Sequence, residues 1–219
     1  ETAPEAIDGG VLAIIKDSFN CNDKELNHWI TQDRINKTLQ KKQSKSTGID
    51  FIPYKLIHEI YKKEPSIFLY LWQQIANCAI IPDIYKFRQV TFIPKSKDSY
   101  KLKDKRSISI SQPHIAIVDA CATEELYKRL VPQLSQSQFG GIRKRSPEDL
   151  LCILRLLADY CRRYKICFIL FIADIMKAFD WVDPDLLIII LHDIYKIGGN
   201  LLRFTSSILL GNILIVKNG

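Results

Sequence analysis

The apolar run Phe168-Ile169-Leu170-Phe171-Ile172-Ala173 delivers a carboxylate, Asp174, and five residues later an aromatic, Phe179. A strand buried on both faces that ends in an aspartate can set a metal ligand at a sheet's rim. The other common use of such an aspartate is as a turn or helix-cap residue. A second chemical signal is cationic. The clusters are Arg34, Lys37, Lys41, Lys42 and Lys45, then Lys95, Lys97, Lys101, Lys103, Lys105 and Arg106, then Arg143, Lys144 and Arg145. Charge runs are ordinarily solvated faces, but three basic clusters in loop-like settings point to a phosphate-rich partner, with nucleic acid the first candidate.

These residues need elements to position them, and the chain has the material for that. It has 219 residues, 47% hydrophobic and 25% charged, with a net charge of +7. That is enough for one large core or two small ones. No apolar stretch reaches the length of a membrane span, so no membrane partner is expected. The opening Glu1-Thr2-Ala3-Pro4 lacks the layout of a signal peptide, and the expectation is a piece of a longer chain. The six cysteines form no Cys-x-x-Cys pair. Several lie in apolar helical surroundings that suit buried free thiols, and an intracellular, reducing compartment is expected, with nothing to choose between nucleus and organelle.

Thr31 is an N-cap candidate for a helix with Ile30, Ile35 and Leu39 on one side. A second helix follows Pro53 with Leu56, Ile57 and Ile60 inward, and a third carries Ile67, Leu71, Ile75 and Ala79. Phe87 to Pro94 alternates like a strand, as does Ser107 to Ser111, giving a hairpin with a long basic loop. A helix follows Pro113, with Ile117, Ala120, Cys121 and Leu126 spaced for burial. Ser146-Pro147-Glu148-Asp149 opens another, carrying Leu150, Leu151, Leu154, Leu157 and Cys161. After the strand ending at Asp174, Asp183-Pro184 caps a helix from Asp185 to Tyr195, closed by Gly198-Gly199. Helices first, then a hairpin, then mixed elements imply an α+β fold with an antiparallel sheet and packed helices.

Five segments then occur in an order that resembles one family: Lys45-Ser46-Thr47-Gly48-Ile49-Asp50-Phe51-Ile52-Pro53, Val90-Thr91-Phe92-Ile93-Pro94-Lys95, Arg106-Ser107-Ile108-Ser109, Ser137-Gln138-Phe139-Gly140 and Ala173-Asp174-Ile175-Met176-Lys177-Ala178-Phe179-Asp180. Together they resemble the reverse transcriptase domain of non-LTR (LINE-like) retrotransposons and, more distantly, group II intron reverse transcriptases. The resemblance implies a partial right-hand polymerase: an N-terminal extension over 1–29, fingers over 30–164 and the first part of a palm over 165–219.

In that family the carboxylate matching Asp174 is catalytic and binds two Mg²⁺ ions, with the backbone carbonyl matching Ile175 assisting. Phe179 matches the steric gate under the nucleotide sugar. Lys95 and Arg106 match residues that hold the incoming triphosphate. Gly48, Asp50, Gln138 and Gly140 match positions that shape the template path, each of which also reads as a plain loop glycine or turn residue. Lys177 and Asp180 belong to the same motif without an assigned role, and Asp180 reads equally well as a turn residue.

Three residues depart from the family pattern: Phe51 stands where it has Gly, Ser107 where it has Pro and Gly141 where it has Phe. The family's second metal-binding segment, a Tyr/Phe-x-Asp-Asp turn, is absent, so the Mg²⁺ site is expected to be incomplete and the chain inactive alone. Ile213-Leu214-Ile215-Val216 reads as a strand, and Asn218-Gly219 as a hairpin turn leading to a return strand. The rest of a polymerase or a larger assembly is therefore the expected cover for that edge.

Two function classes follow. One is a fragment of an RNA-directed DNA polymerase that binds template, primer and incoming nucleotide. The other is a non-catalytic, domesticated remnant acting as an RNA-binding or structural subunit of a ribonucleoprotein, on ribosomal or other structured RNA.

Overall fold

The computed structural model describes residues 13–14, 29–79, 81–95 and 105–216. Most of the expected extension 1–29, the loop lysines Lys97, Lys101 and Lys103, and the Asn218-Gly219 turn lie outside the described residues. The fold is α+β. Among the described residues are seven α-helices, α1 (Gln32–Lys42), α2 (Tyr54–Lys63), α3 (Pro65–Cys78), α4 (Pro113–Leu130), α5 (Pro147–Arg163), α6 (Pro184–Ile189) and α7 (Gly199–Leu209). The strands are β1 (Phe87–Pro94), β2 (Lys105–Ile110) and β3 (Ile213–Val216).

Local chemistry sets the helix starts. The Thr31 hydroxyl accepts from the Arg34 amide at 3.3 Å, which satisfies one of the amide donors a helix start leaves open. At α5 the Ser146 hydroxyl accepts from the Asp149 amide, and the Asp149 carboxylate accepts from the Ser146 amide at 2.8 Å, a reciprocal capping box. Asp183 caps α6 through the amides of Asp185 and Leu186. That helix continues through a π-helical turn, Ile190–Ile194.

β1 and β2 pair antiparallel, with Gln89 opposite Ile110, Thr91 opposite Ile108 and Ile93 opposite Arg106. β3 joins the other edge of β1 in parallel, Phe87 opposite Ile213 and Val90 opposite Val216, giving the order β2-β1-β3. The sheet is therefore mixed rather than antiparallel throughout. A hairpin connection without a crossover gives an antiparallel neighbour, whereas the long connection from β1 to β3, which carries four helices, allows a parallel one.

The chain divides into two compact units, one built from residues up to Tyr127 together with Asp183 onward, the other from Lys128–Val182. The boundary drawn at 164/165 from the family resemblance falls inside the second unit.

The core of the first unit is aromatic and aliphatic. Trp72 and Phe204 are fully buried, with Ile35, Leu39, Ile57, Ile117 and Leu202. Trp29 meets Phe204 at 5.4 Å between ring centroids, and Tyr61, Phe68, Trp72 and His114 form a continuous cluster. This cluster selects helix faces that aliphatic spacing misplaces. In α2 the inward residues are Tyr54, Ile57, His58 and Tyr61, while Leu56 and Ile60 are exposed. In α3 they are Trp72, Ile75 and Ala76, and Ala79 just past the helix is buried too, with Ile67 and Leu71 exposed. Burying one large ring removes more apolar area than burying an aliphatic neighbour, so the rings take the core.

The sequence reading contains no α7. Gly198-Gly199 there closes a helix, but here Gly198 caps and Gly199, at φ 60°, opens the next. α7 then buries Leu201, Leu202, Phe204 and Ile208.

Candidate nucleic-acid interface

Within the first unit a groove of about 820 Å³ opens between the hairpin, the C-terminus of α1 with the turn that follows it, the start of α2, and α4. The hairpin supplies one wall through Gln89, Thr91, Ile93, Ile108 and Ile110. The ladder explains this wall, because paired residues share a face and alternate along each strand. Arg106, opposite Ile93, belongs to the same face. Of the two residues matched to triphosphate binding, the register therefore places Arg106 on the grooved face, while Lys95 lies just beyond the end of β1. The other wall carries Lys42, Lys45, Ser46, Thr47 and Phe51, and Asp119 of α4 contributes from the floor.

Asp119 and Lys42 of the groove are half-buried, as is Arg88, which strand alternation places on the other face of β1 from Gln89. Burial pushes the Asp119 carboxyl above its usual range, with Arg88 and Lys42 opposing. Burial likewise pushes the Lys42 ammonium down, opposed by Asp119 and reinforced by Lys45. Arg88 is lowered by the same desolvation, again opposed by Asp119. Tyr54 is pushed up to about 12 by burial first and by the charges of Asp50 and Asp119 second. Lys42 Nζ lies 5.7 Å from the centre of the Tyr54 ring, a cation-π contact. Asp119 therefore offsets part of the desolvation of two cations, and Lys45, exposed at the rim, extends the positive field outward.

The turn carrying Gly48 and Asp50 is fixed by close packing. A Cβ on Gly48 would stand 2.6 Å from Gln112 Cα, so only glycine lets the turn lie this close to the backbone of Gln112. Gln112 is itself anchored, donating through Nε2 to the Ile84 carbonyl at 2.6 Å. Gly48 is buried, and its carbonyl accepts from the Phe51 amide at 3.2 Å. Asp50 accepts from the Ile52 amide through Oδ1 at 3.2 Å, while its Oδ2 is buried without a hydrogen-bond partner. Both residues shape the turn, and the side chain it presents outward is Phe51.

The remaining sequence-matched residues sit in the second unit. Gln138 turns inward on its own loop, donating to the Gly140 carbonyl at 2.9 Å. Arg145 clamps that loop, donating to the carbonyls of Gln136 at 3.0 Å and Gln138 at 2.6 Å, with its guanidinium 5.9 Å from the Phe139 ring.

The segment leading to Asp174 differs from expectation. It forms no strand, residues 166–175 are irregular, and Phe171 is 87% exposed. An isolated strand is stable only when its backbone groups are paired, and no strand among the described residues pairs with this one. Asp174 and Ile175 are exposed, Lys177 adopts the left-handed conformation at φ 55°, and a short 3₁₀ turn, Ala178–Trp181, presents Phe179 at 94% exposure.

Among the described residues no three His, Cys, Asp or Glu side chains cluster as a metal site. Mg²⁺ takes six oxygens in near-octahedral geometry, commonly one or two carboxylates with phosphates and waters. The Asp174 carboxylate and the Ile175 carbonyl are donors of the right hardness for one corner of such a site, and by themselves they do not enclose an ion.

The structure thus gathers Gly48, Asp50, Lys95 and Arg106 into one unit and Gln138, Gly140, Asp174, Ile175 and Phe179 into the other. Sequence reasoning missed Asp119 and Tyr54, whose apolar helical settings look like ordinary core, and it gave Arg145 only as one cation in a cluster. Its signal was available: a cation just before an N-cap, at the end of a Gly-containing loop. No protein-family model matches the chain, and no curated protein sequence matches it.

Proposed function

We propose that the chain grips the phosphate backbone of RNA and of an incoming nucleotide, as the fingers and first palm segment of an RNA-directed DNA polymerase of the reverse transcriptase type. The observation that carries this reading is the hairpin register, in which Arg106 shares the face that lines a groove whose opposite wall holds Lys42 and Lys45, with Lys95 just past the end of β1. An arginine fork and lysine point charges suit phosphate oxygens, and the groove is of a size that takes a nucleotide. Asp174 and the Ile175 carbonyl would hold Mg²⁺ together with carboxylates supplied from elsewhere, and Phe179 would exclude a 2′-hydroxyl. When bound, Mg²⁺ would activate the attacking hydroxyl and neutralise the leaving pyrophosphate.

Binding of single-stranded RNA to this chain should weaken steeply with salt, and replacing Lys95 or Arg106 by alanine should reduce the slope by about 0.7 for each phosphate that is no longer neutralised. A flat salt response sinks the phosphate reading.

A non-catalytic RNA-binding or structural subunit of a ribonucleoprotein uses the same grip, and the altered residues Phe51, Ser107 and Gly141 favour it. Asp174→Ala separates the two. In a polypeptide carrying the further catalytic carboxylates it should abolish Mg²⁺-dependent primer extension and leave RNA affinity intact. Unchanged extension removes Asp174 from the chemistry.

A further inference from the structure

We propose that Phe51 is a stacking platform for an unpaired base of the bound RNA strand, with the neighbouring phosphate held by Lys42 and Lys45. This rests on the nucleic-acid reading above and deepens it by assigning a base site to one end of the groove.

Phe51 lines the groove yet is 74% exposed, so its ring is presented to solvent rather than spent on the core. Its backbone is left-handed at φ 56°, a conformation that bulky residues rarely adopt and that persists only where the surroundings enforce it. Here they do. Gly48 is packed against Gln112, the Phe51 amide donates to the Gly48 carbonyl, and Asp50 accepts from the amide of Ile52, so both sides of Phe51 are pinned. A rigid support that holds an aromatic face outward beside cations is what single-strand binding needs. The ring offers sequence-tolerant stacking while the cations track the backbone. Tyr54, the other aromatic of the groove, already carries the Lys42 ammonium over its ring, which leaves Phe51 as the accessible face. An acidic peptide would use the same lysines but gain nothing from the flat ring.

The test measures binding of the chain to an oligoadenylate containing an internal fluorescent adenine analogue whose emission stacking quenches, and to an abasic oligomer of equal length. Phe51→Gly removes the ring at a φ that glycine accepts freely, so the fold is kept. Phe51→Tyr retains the platform. Stacking of one base predicts that Phe51→Gly weakens intact RNA binding by about 5-fold to 150-fold and loses the quenching, with the salt slope unchanged. Phe51→Tyr should match the unaltered chain, and abasic RNA should bind both proteins equally.

Unchanged affinity of Phe51→Gly for intact RNA overturns the proposal while leaving the phosphate reading in place. An equal loss for intact and abasic RNA also overturns it, because the ring would then act only on the fold. Oligoglutamate bound with the same dependence on Phe51 assigns the groove to acidic peptide instead. If the unaltered chain binds no RNA, the nucleic-acid reading itself falls, and this one with it.

Discussion

The family resemblance gives Gly48 and Gly140 the same expected role, but the structure gives them opposite sensitivities to one added methyl. On Gly48 a Cβ would lie 2.6 Å from Gln112 Cα and 3.0 Å from Gln112 N, against ordinary contacts that begin at 3.4 Å, a shortfall of 0.8 Å at Cα. The opposing atoms are backbone, and Gln112 cannot retreat without losing its bond to the Ile84 carbonyl. Gly48→Ala is therefore an overpacking change, costing about 1–3 kcal/mol. At roughly 2–4 °C per kcal/mol for a chain of this size, the melting temperature should fall by about 2–12 °C. The displaced turn also carries Thr47 and Phe51, so RNA affinity should drop with it. On Gly140 the nearest atom to an added Cβ is Gln138 Nε2 at 3.8 Å, the end of a flexible side chain. Gly140→Ala should leave stability unchanged or raise it by about 0.4–1 kcal/mol through the unfolded chain. Calorimetry or denaturant melts of the two variants beside the unaltered chain decide the matter. Equal melting temperatures for Gly48→Ala and Gly140→Ala refute the close packing of the Gly48 turn.

Three further outcomes are expected. Arg145→Ala should cost about 1–2 kcal/mol of local stability, because the carbonyls of Gln136 and Gln138 lose a charged donor, and amide hydrogen exchange should quicken across 135–142 while α1 and α2 stay protected. Burial holds His114 below its usual 6.5, with Asp50 opposing. The unfolded chain then takes up a proton before the folded one, so stability is lost as pH falls from 6.5 through the lower folded value. His114→Phe, which keeps the stack on Phe68, should flatten melting temperature against pH over that window, and an unaltered slope contradicts the assignment. Cys121, whose thiol burial pushes up to about 12, should resist alkylation in the folded chain, while the exposed Cys78, Cys152 and Cys167 react first, as mass mapping of the modified peptides would show.

The cysteines also mark a limit of reading burial from sequence. All six have apolar neighbours within a few residues, yet Cys121 and Cys161 are buried and Cys78, Cys152 and Cys167 are not. Local context cannot tell which side of a helix meets a partner. α5 makes the same point: its leucines at 150, 151 and 157 have the spacing of a buried stripe but are exposed, and Cys161 alone on that helix is buried.

What the sequence determined by itself was whatever depends on short-range chemistry. Thr31, Ser146 and Asp183 cap their helices because a side-chain oxygen two or three residues from an unpaired amide needs no tertiary help. The bounds of β1 follow from alternation, and the hairpin follows from two alternating runs joined by a polar loop. The α+β class follows from the order of those elements.

Only the tertiary structure decided the rest, because each remaining feature depends on atoms distant in the chain. The parallel placement of β3 beside β1 requires a connection through four helices, and no local signal encodes its direction. The close approach that makes Gly48 indispensable is to Gln112, 64 positions away in the numbering. Asp119 looks like one acid on a helix until folding places Lys42 from α1 and Arg88 from β1 within its field. The strand expected at Asp174 needs a backbone partner that its own residues cannot provide, and without one among the described residues its apolar side chains stay exposed.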